Sequence, residues 1–313
     1  MWLVNHADRP GPLGQDIVLD ISQGSSVARA AEVLEDAGAI ENAWLFEAAF
    51  RLLASGGKLK AGEYQLPAGV SSRALIDLLI TGRTLARKLT VPEGLTSYEI
   101  VALVEQASGL VDTVETRLAE GSLLPETYHF SKGDSRAQMI ARMQSALSET
   151  MAELWPGRAE NLPFDTPDQA LILASIVEKE TGIADERALI AGVFVNRLRM
   201  GMRLQSDPTV IYGLTDGQGP LGRALTRSDL ETDHPFNTYR IDSLPPRPIA
   251  NPGRAAIAAV LNPQKTEYLF FVADGTGGHM FAKTLEDHNR NVAKWRRVQR
   301  ESRTEAASET VDQ

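Results

Sequence analysis

Apolar residues recur at two spacings along the chain, and the alternation between strand-like and helix-like periods predicts a mixed α+β protein. Ile17-Val-Leu-Asp-Ile21 reads as a short strand. Ser25 and Ser26 are good N-caps for an apolar helix through Val27, Ala30, Ala31, Val33 and Leu34, ending near Gly38. A second helix is expected from Asn42 to about Ala54, stopped by Gly56-Gly57. Gly62-Glu-Tyr-Gln-Leu66 reads as a second strand, closed by Pro67. Strand, helix, helix, strand make one small, self-contained module.

Downstream the pattern predicts a helix from Ser71 to Thr81 and a strand around Leu85–Val91, then a turn at Pro92-Glu-Gly94. Thr96 caps a helix from Ser97 to about Gln106, and Glu99 completes a capping box. Gly121–Phe130 reads as an aromatic loop, and 135–155 as one amphipathic helix. A long apolar helix starts at about Pro167, where proline suits the first turn. Another follows from Asp185 to about Met200. The stretch Arg203–Pro252, full of Pro, Gly, Asp, Asn and Tyr, is expected to be a long functional loop. A helix (Gly253–Leu261), a strand (Tyr268–Ala273), a glycine-rich turn and a last helix (Thr284 to about Arg300) complete the pattern. Residues 5–15 have no period and read as an extended linker.

Composition narrows the function. The 313 residues carry 32 basic and 41 acidic side chains, net −9, which argues against a nucleic-acid partner. A neutral polymer such as a polysaccharide remains compatible. With no cysteine there is no disulfide framework, thiolate metal site or Cys nucleophile. No apolar run reaches the roughly 18 residues that span a bilayer. The opening Met-Trp-Leu-Val-Asn reads either as a frayed terminus or as the stub of a membrane helix.

The helix Asp168–Thr181 is the focus for chemistry. It is apolar nearly all round and is expected to be deeply buried, with Ser175 and Lys179 marking its wet side. Glu178 and Glu180 stand at its C-terminal end. Two residues apart means about 200° of rotation, so they cannot share a face. Glu180 extends the stripe of Leu173, Ile176 and Val177; Glu178 extends that of Leu171 and Ala174. A carboxyl beside hydrocarbon at the negative end of a helix is expected to hold its proton, as a general acid must. The bland alternative is a pair of helix-end ion pairs, for instance with Arg187 or Arg197. Paired carboxylates mark most glycosidases, and Asp207, Asp229, Glu231 and Asp233 are candidates for a second. Gln205, Asp207, Tyr212, Asn237, Thr238 and Tyr239 crowd amides, carboxylates and aromatic faces of the kind sugars need into one stretch. His279 and His288 fit no metal spacing, no phosphate loop is present, and Ser175 lacks a serine-hydrolase context; no metal and no cofactor are expected.

Several of these segments resemble the endolytic murein transglycosylases of the YceG-like family. They are Ala174-Ser-Ile-Val-Glu-Lys-Glu-Thr181, Val193-Phe-Val-Asn-Arg-Leu198, Gly201–Tyr212, Asn237-Thr-Tyr239, Gly278-His279 and His288-Asn289. Lys60–Tyr64 and Val91–Gly94 match upstream. The resemblance implies a LysM-like module over 16–90 and a catalytic domain over 91–302. It also makes 1–15 a linker or remnant of a membrane anchor, and 303–313 a mobile tail. It implies a single-pass inner-membrane protein whose body is periplasmic, with the anchor absent from this chain. Peptidoglycan strands would be the substrate and peptidoglycan synthases the partners. Glu180 would be the catalytic acid/base, and Gln205, Asp207, Tyr212, Asn237 and Tyr239 would bind substrate. The implied reaction is non-hydrolytic cleavage that leaves 1,6-anhydro ends. The competing readings are a muramidase-type hydrolase and a non-catalytic glycan-binding scaffold.

Overall fold

The computed structural model describes residues 2–114 and 117–309, with side chains through residue 300. The chain divides into two compact units. One takes in Met1–Leu89, Val104–Thr113 and Thr127–Met139; the other takes in Thr90–Leu103, Val114–Glu126 and Ile140–Gln313. The fold is α+β, with helices around small antiparallel sheets.

The first unit opens with α1 (Trp2–Ala7), β1 (Ile17–Ile21), α2 (Val27–Asp36), α3 (Ala43–Leu53), β2 (Gly62–Leu66) and α4 (Ser72–Thr81). Strand, helix, helix, strand is the expected order. β1 and β2 pair antiparallel with Ile17 opposite Leu66 and Ile21 opposite Gly62. Ser26, Asn42 and Ser71 each accept a backbone N–H three residues on, so α2, α3 and α4 each start on a side-chain cap. Ile21, Leu34, Phe46, Tyr64, Leu75, Ile76 and Leu79 fill the core. Residues 5–15 are not the extended linker expected. Ala7 and Leu13 are buried in this core, and the Gly11 N–H donates to the Gly69 carbonyl at 3.2 Å. Gly11 lies so close that a Cβ there would meet the Val70 carbonyl oxygen at 2.3 Å. Tertiary packing thus orders a segment without a period of its own. Further along the chain come β3 (Arg87–Thr90), α5 (Ser97–Gln106), β4 (Thr127–Phe130) and α6 (Arg136–Leu154); β3 pairs with β4, and the residues of α5 and α6 divide between the two units.

The second unit is built around α7 (Pro167–Glu180), which packs on α8 (Arg187–Arg199), α9 (Asp207–Thr215) and α11 (Arg254–Leu261). Thr166 and Gln169 cap α7 reciprocally, with Pro167 in the first turn. Leu173, Ala174, Ile176 and Val177 are sealed from solvent, as an all-apolar helix requires. Ser175, expected on a wet side, is also fully buried. Its hydroxyl donates to the Ile172 carbonyl at 2.7 Å and accepts the Ile249 N–H at 3.0 Å. A small hydroxyl satisfied locally costs little to bury, so its polarity misleads about exposure.

The stretch 203–252 is not one loop. It contains α9 and α10 (Arg227–Glu231), started by Asp207-Pro208 and by a Thr226–Asp229 capping box. Both signals also occur in turns, which is how they read in the sequence. A hairpin of β5 (Phe270–Ala273) and β6 (His279–Ala282) follows, and α12 (Leu285–Glu309) packs on both strands. α12 runs past the Arg300 expected as its end; of the expected tail, 310–313 lie outside the described residues. No described helix is long and apolar enough to cross a membrane.

Candidate active site

The C-terminal end of α7 brings its two carboxylates into different chemistry. Glu178, 4% exposed, accepts the Gly253 N–H at 2.8 Å and lies 3.8 Å from the Arg187 guanidinium. It is the ion-paired helix-end glutamate of the bland reading. Glu180 instead opens on a cleft of about 570 Å³, lined also by Arg197, Gln205, Asp207, Tyr239, His279 and the β5 strand. The Ser206 hydroxyl donates to its Oε1 at 2.5 Å.

Ser206 is held by the start of α9. Its N–H donates to Thr238 Oγ1 at 2.9 Å, and Thr209 Oγ1 bonds both the Ser206 carbonyl (2.6 Å) and Thr238 Oγ1 (2.8 Å). Gln205, just before, has φ of 52°, a left-handed conformation that side chains other than glycine adopt at a cost of order 1 kcal/mol. The surrounding bonds hold that strain at the cleft wall.

Desolvation pushes the Glu180 carboxyl up to about 7, assisted by the negative charge of Asp207. The Ser206 hydroxyl and Arg197 pull the other way without reversing it, as does His279 when its ring is charged. Arg197, 6% exposed, does not seal Glu180 off. Its guanidinium donates to the carbonyls of Leu269 (2.6 Å), Leu204 (2.7 Å) and Arg203 (3.3 Å), and lies 5.3 Å from the Phe270 ring. The result is a carboxyl poised near neutrality on a cleft of about 570 Å³.

The five residues expected to bind sugar separate in space. Gln205, Asp207 and Tyr239 line the Glu180 cleft. Asn237 is buried: its amide donates to the carbonyls of Leu230 (3.0 Å) and Thr232 (2.7 Å), ending α10, and its oxygen accepts the Tyr239 N–H at 3.0 Å. It therefore positions Tyr239 and does not face the cleft. Tyr212 lines a different cavity, of about 900 Å³, where its hydroxyl donates to Glu120 at 3.2 Å. It sits five residues beyond Asp207 on α9, hence on another face of the helix. Of the candidate second carboxylates only Asp207 lines the cleft. Asp229 is taken up by the α10 cap and Arg223, Glu231 pairs with Arg227, and Asp233 is exposed.

The fold adds residues that spacing did not select. Ser206 bonds Glu180 directly, and Glu186 accepts from His279. Ser206 has no signal beyond its place before Asp-Pro. Glu186 is one acidic residue in a one-turn helix at 184–186. Among the described residues no group of His, Asp and Glu is arranged to hold a metal.

The YceG-like family pattern matches residues 19–294, most of the chain, both units included. The chain belongs to the YceG-like family. A relative from Bacillus subtilis, named endolytic murein transglycosylase, is 30% identical over 308 residues, covering 88% of this chain and 84% of the relative. One of the same name from Streptococcus pneumoniae is 31% identical, covering 89% of this chain; the chain spans 58% of that longer relative. A crystal structure of a yceG-like protein from Listeria monocytogenes is 32% identical with a TM-score of 0.52, over 88% of this chain and 99% of that one. The YceG-like match takes in every residue placed at the cleft up to Val292.

Proposed function

We propose that this YceG-like protein is an endolytic lytic transglycosylase of peptidoglycan, with Glu180 as its acid and base. The observation that carries the reading is a desolvated carboxyl, poised at about 7, on a cleft of about 570 Å³. The names of its relatives support the same substrate.

In this reading Glu180 gives its proton to the oxygen joining N-acetylmuramic acid to N-acetylglucosamine. The C1–O bond breaks and the departing sugar keeps that proton as a hydroxyl. The muramic acid C6 oxygen closes on C1, and its proton goes to the Glu180 carboxylate. The carboxyl is restored, no water is consumed, and the strand ends in a 1,6-anhydro ring. Gln205, Asp207 and Tyr239 hold the sugars beside it. Strand sizing beside a synthase outside the membrane, and a LysM-like role for residues 16–90, belong to the same proposal and rest on the family resemblance.

Asp207 in the same cleft favours a second reading, a hydrolase using paired carboxylates. Mass spectrometry of digested sacculi separates them, because the anhydro product lacks one water. Water-added ends made by the wild-type protein would overturn the lytic mechanism. Uncut sacculi would leave a glycan-binding scaffold.

A further inference from the structure

We infer that His279, held by Glu186, is the residue that recognises the acetamido group of a sugar in the Glu180 cleft. The inference rests on the substrate class proposed above and adds the atoms that read it.

Glu186 grips His279 at two points. Its Oε1 accepts the His279 backbone N–H at 2.9 Å, and its Oε2 meets ring Nδ1 at 2.7 Å. A carboxylate only accepts, so Nδ1 carries the hydrogen. Gly278 leaves room beside this contact: a Cβ there would stand 3.0 Å from both Glu186 Oε1 and Asp274 Oδ2, which would have to give way by a few tenths of an ångström. The Phe271 ring meets the imidazole edge-on at 5.4 Å. The ring is thus fixed in both position and tautomer. Nε2 has no protein partner among the described residues and is not among the buried unpaired atoms, and the ring lines the cleft. In the neutral ring it is a bare acceptor.

Apolar side chains line part of the same cleft. Ala273 lies opposite His279 across the hairpin, and Phe271, Val272, Leu285 and Val292 continue the surface. A sugar hydroxyl is a poor match, because its neighbours on the ring are also hydroxyls. An acetamido group presents an N–H next to a methyl, which fits an acceptor next to hydrocarbon. Asn289 lines the same cleft and offers an amide donor for the acetyl oxygen. A site built to bond an N–H rejects an isostere lacking it, because the acceptor is then left unpaired.

The test measures binding to Glu180→Gln protein, so that it does not depend on turnover. The probes are an N-acetylglucosamine oligomer and its analogue with 2-acetoxy in place of 2-acetamido, which keeps the methyl and carbonyl and loses only the N–H. The expected preference for the acetamide is about tenfold or more. His279→Ala should bring the ratio close to one. Glu186→Gln should do the same with the ring still in place. The backbone N–H of His279 claims the amide oxygen, the NH₂ faces Nδ1, and the ring proton moves to Nε2. That tautomer reversal is not expected of a merely structural glutamate, and it decides the matter even if His279→Ala fails to fold. An unchanged ratio in Glu186→Gln, or no preference in the parent protein, would overturn the inference. Failure of wild-type protein to cut murein would instead overturn the proposed activity and leave the binding ratio readable.

Discussion

The Tyr239 hydroxyl donates to Asp207 Oδ1 across 2.6 Å, tying down the second carboxylate of the cleft. Burial and that carboxylate push the Tyr239 phenol well above its ordinary range, so it remains a donor at working pH. The charge of Asp207 beside Glu180 favours a protonated Glu180. One carboxylate thus serves to keep the other loaded.

The pH profile follows from this arrangement. Cleavage needs the protonated acid, so kcat/KM should fall as pH rises through about 7. Asp207→Asn removes the charge that raises Glu180 and should move that fall to lower pH. Ser206→Ala removes the hydroxyl that favours the carboxylate and should move it to higher pH. Shifts of the same sign in both variants would contradict the electrostatic assignment.

Glu180→Gln should abolish strand cutting while leaving the circular dichroism unchanged. Glu178→Gln should retain substantial activity, because the amide oxygen can still accept the Gly253 N–H. Losing the pairing with Arg187 should cost stability, on the order of 1–3 kcal/mol. A dead Glu178→Gln beside an active Glu180→Gln would assign the chemistry to the wrong glutamate.

Stability should also depend on Glu180. Its carboxyl is raised in the folded protein, from 4.5 to about 7. Between those values the native state binds the proton and the unfolded chain does not, so stability falls as pH rises across that window. The full effect is on the order of 3 kcal/mol above pH 7. Glu180→Gln should therefore melt higher than wild type at alkaline pH and match it near pH 4. Equal melting curves at both values would show that the carboxyl is not desolvated as described.

Away from the cleft, Gly192 sits where α8 crosses the chain near Gln264. A Cβ there would meet the Gln264 carbonyl oxygen at 2.3 Å, and Asn196 bonds the Thr266 carbonyl nearby at 2.8 Å. Backbone cannot yield as a side chain can, so Gly192→Ala should destabilise by about 1–3 kcal/mol or more in a denaturant titration. An unchanged midpoint would mean that α8 moves freely on its neighbour.

Much of this was legible in the residues alone. The periodicity of α7, the caps of α2–α4 and the 200° between Glu178 and Glu180 are local properties, carried by neighbours along the chain. They single out Glu180 as the candidate acid, because an apolar helix surface is written in consecutive side chains. Asp207, Gln205 and Tyr239 were reachable by residue type.

Tertiary structure decided the rest. Whether Tyr212 and Asn237 share the Glu180 cleft depends on which way α9 faces and on what ends α10, and neither follows from composition. Burial of Ser175, Ala7 and Leu13 depends on partners far along the chain. The Glu186–His279 grip joins side chains 93 positions apart. Local preference can mark a group able to hold a proton, but desolvation and hydrogen-bond geometry are sums over neighbours that only the folded chain brings together.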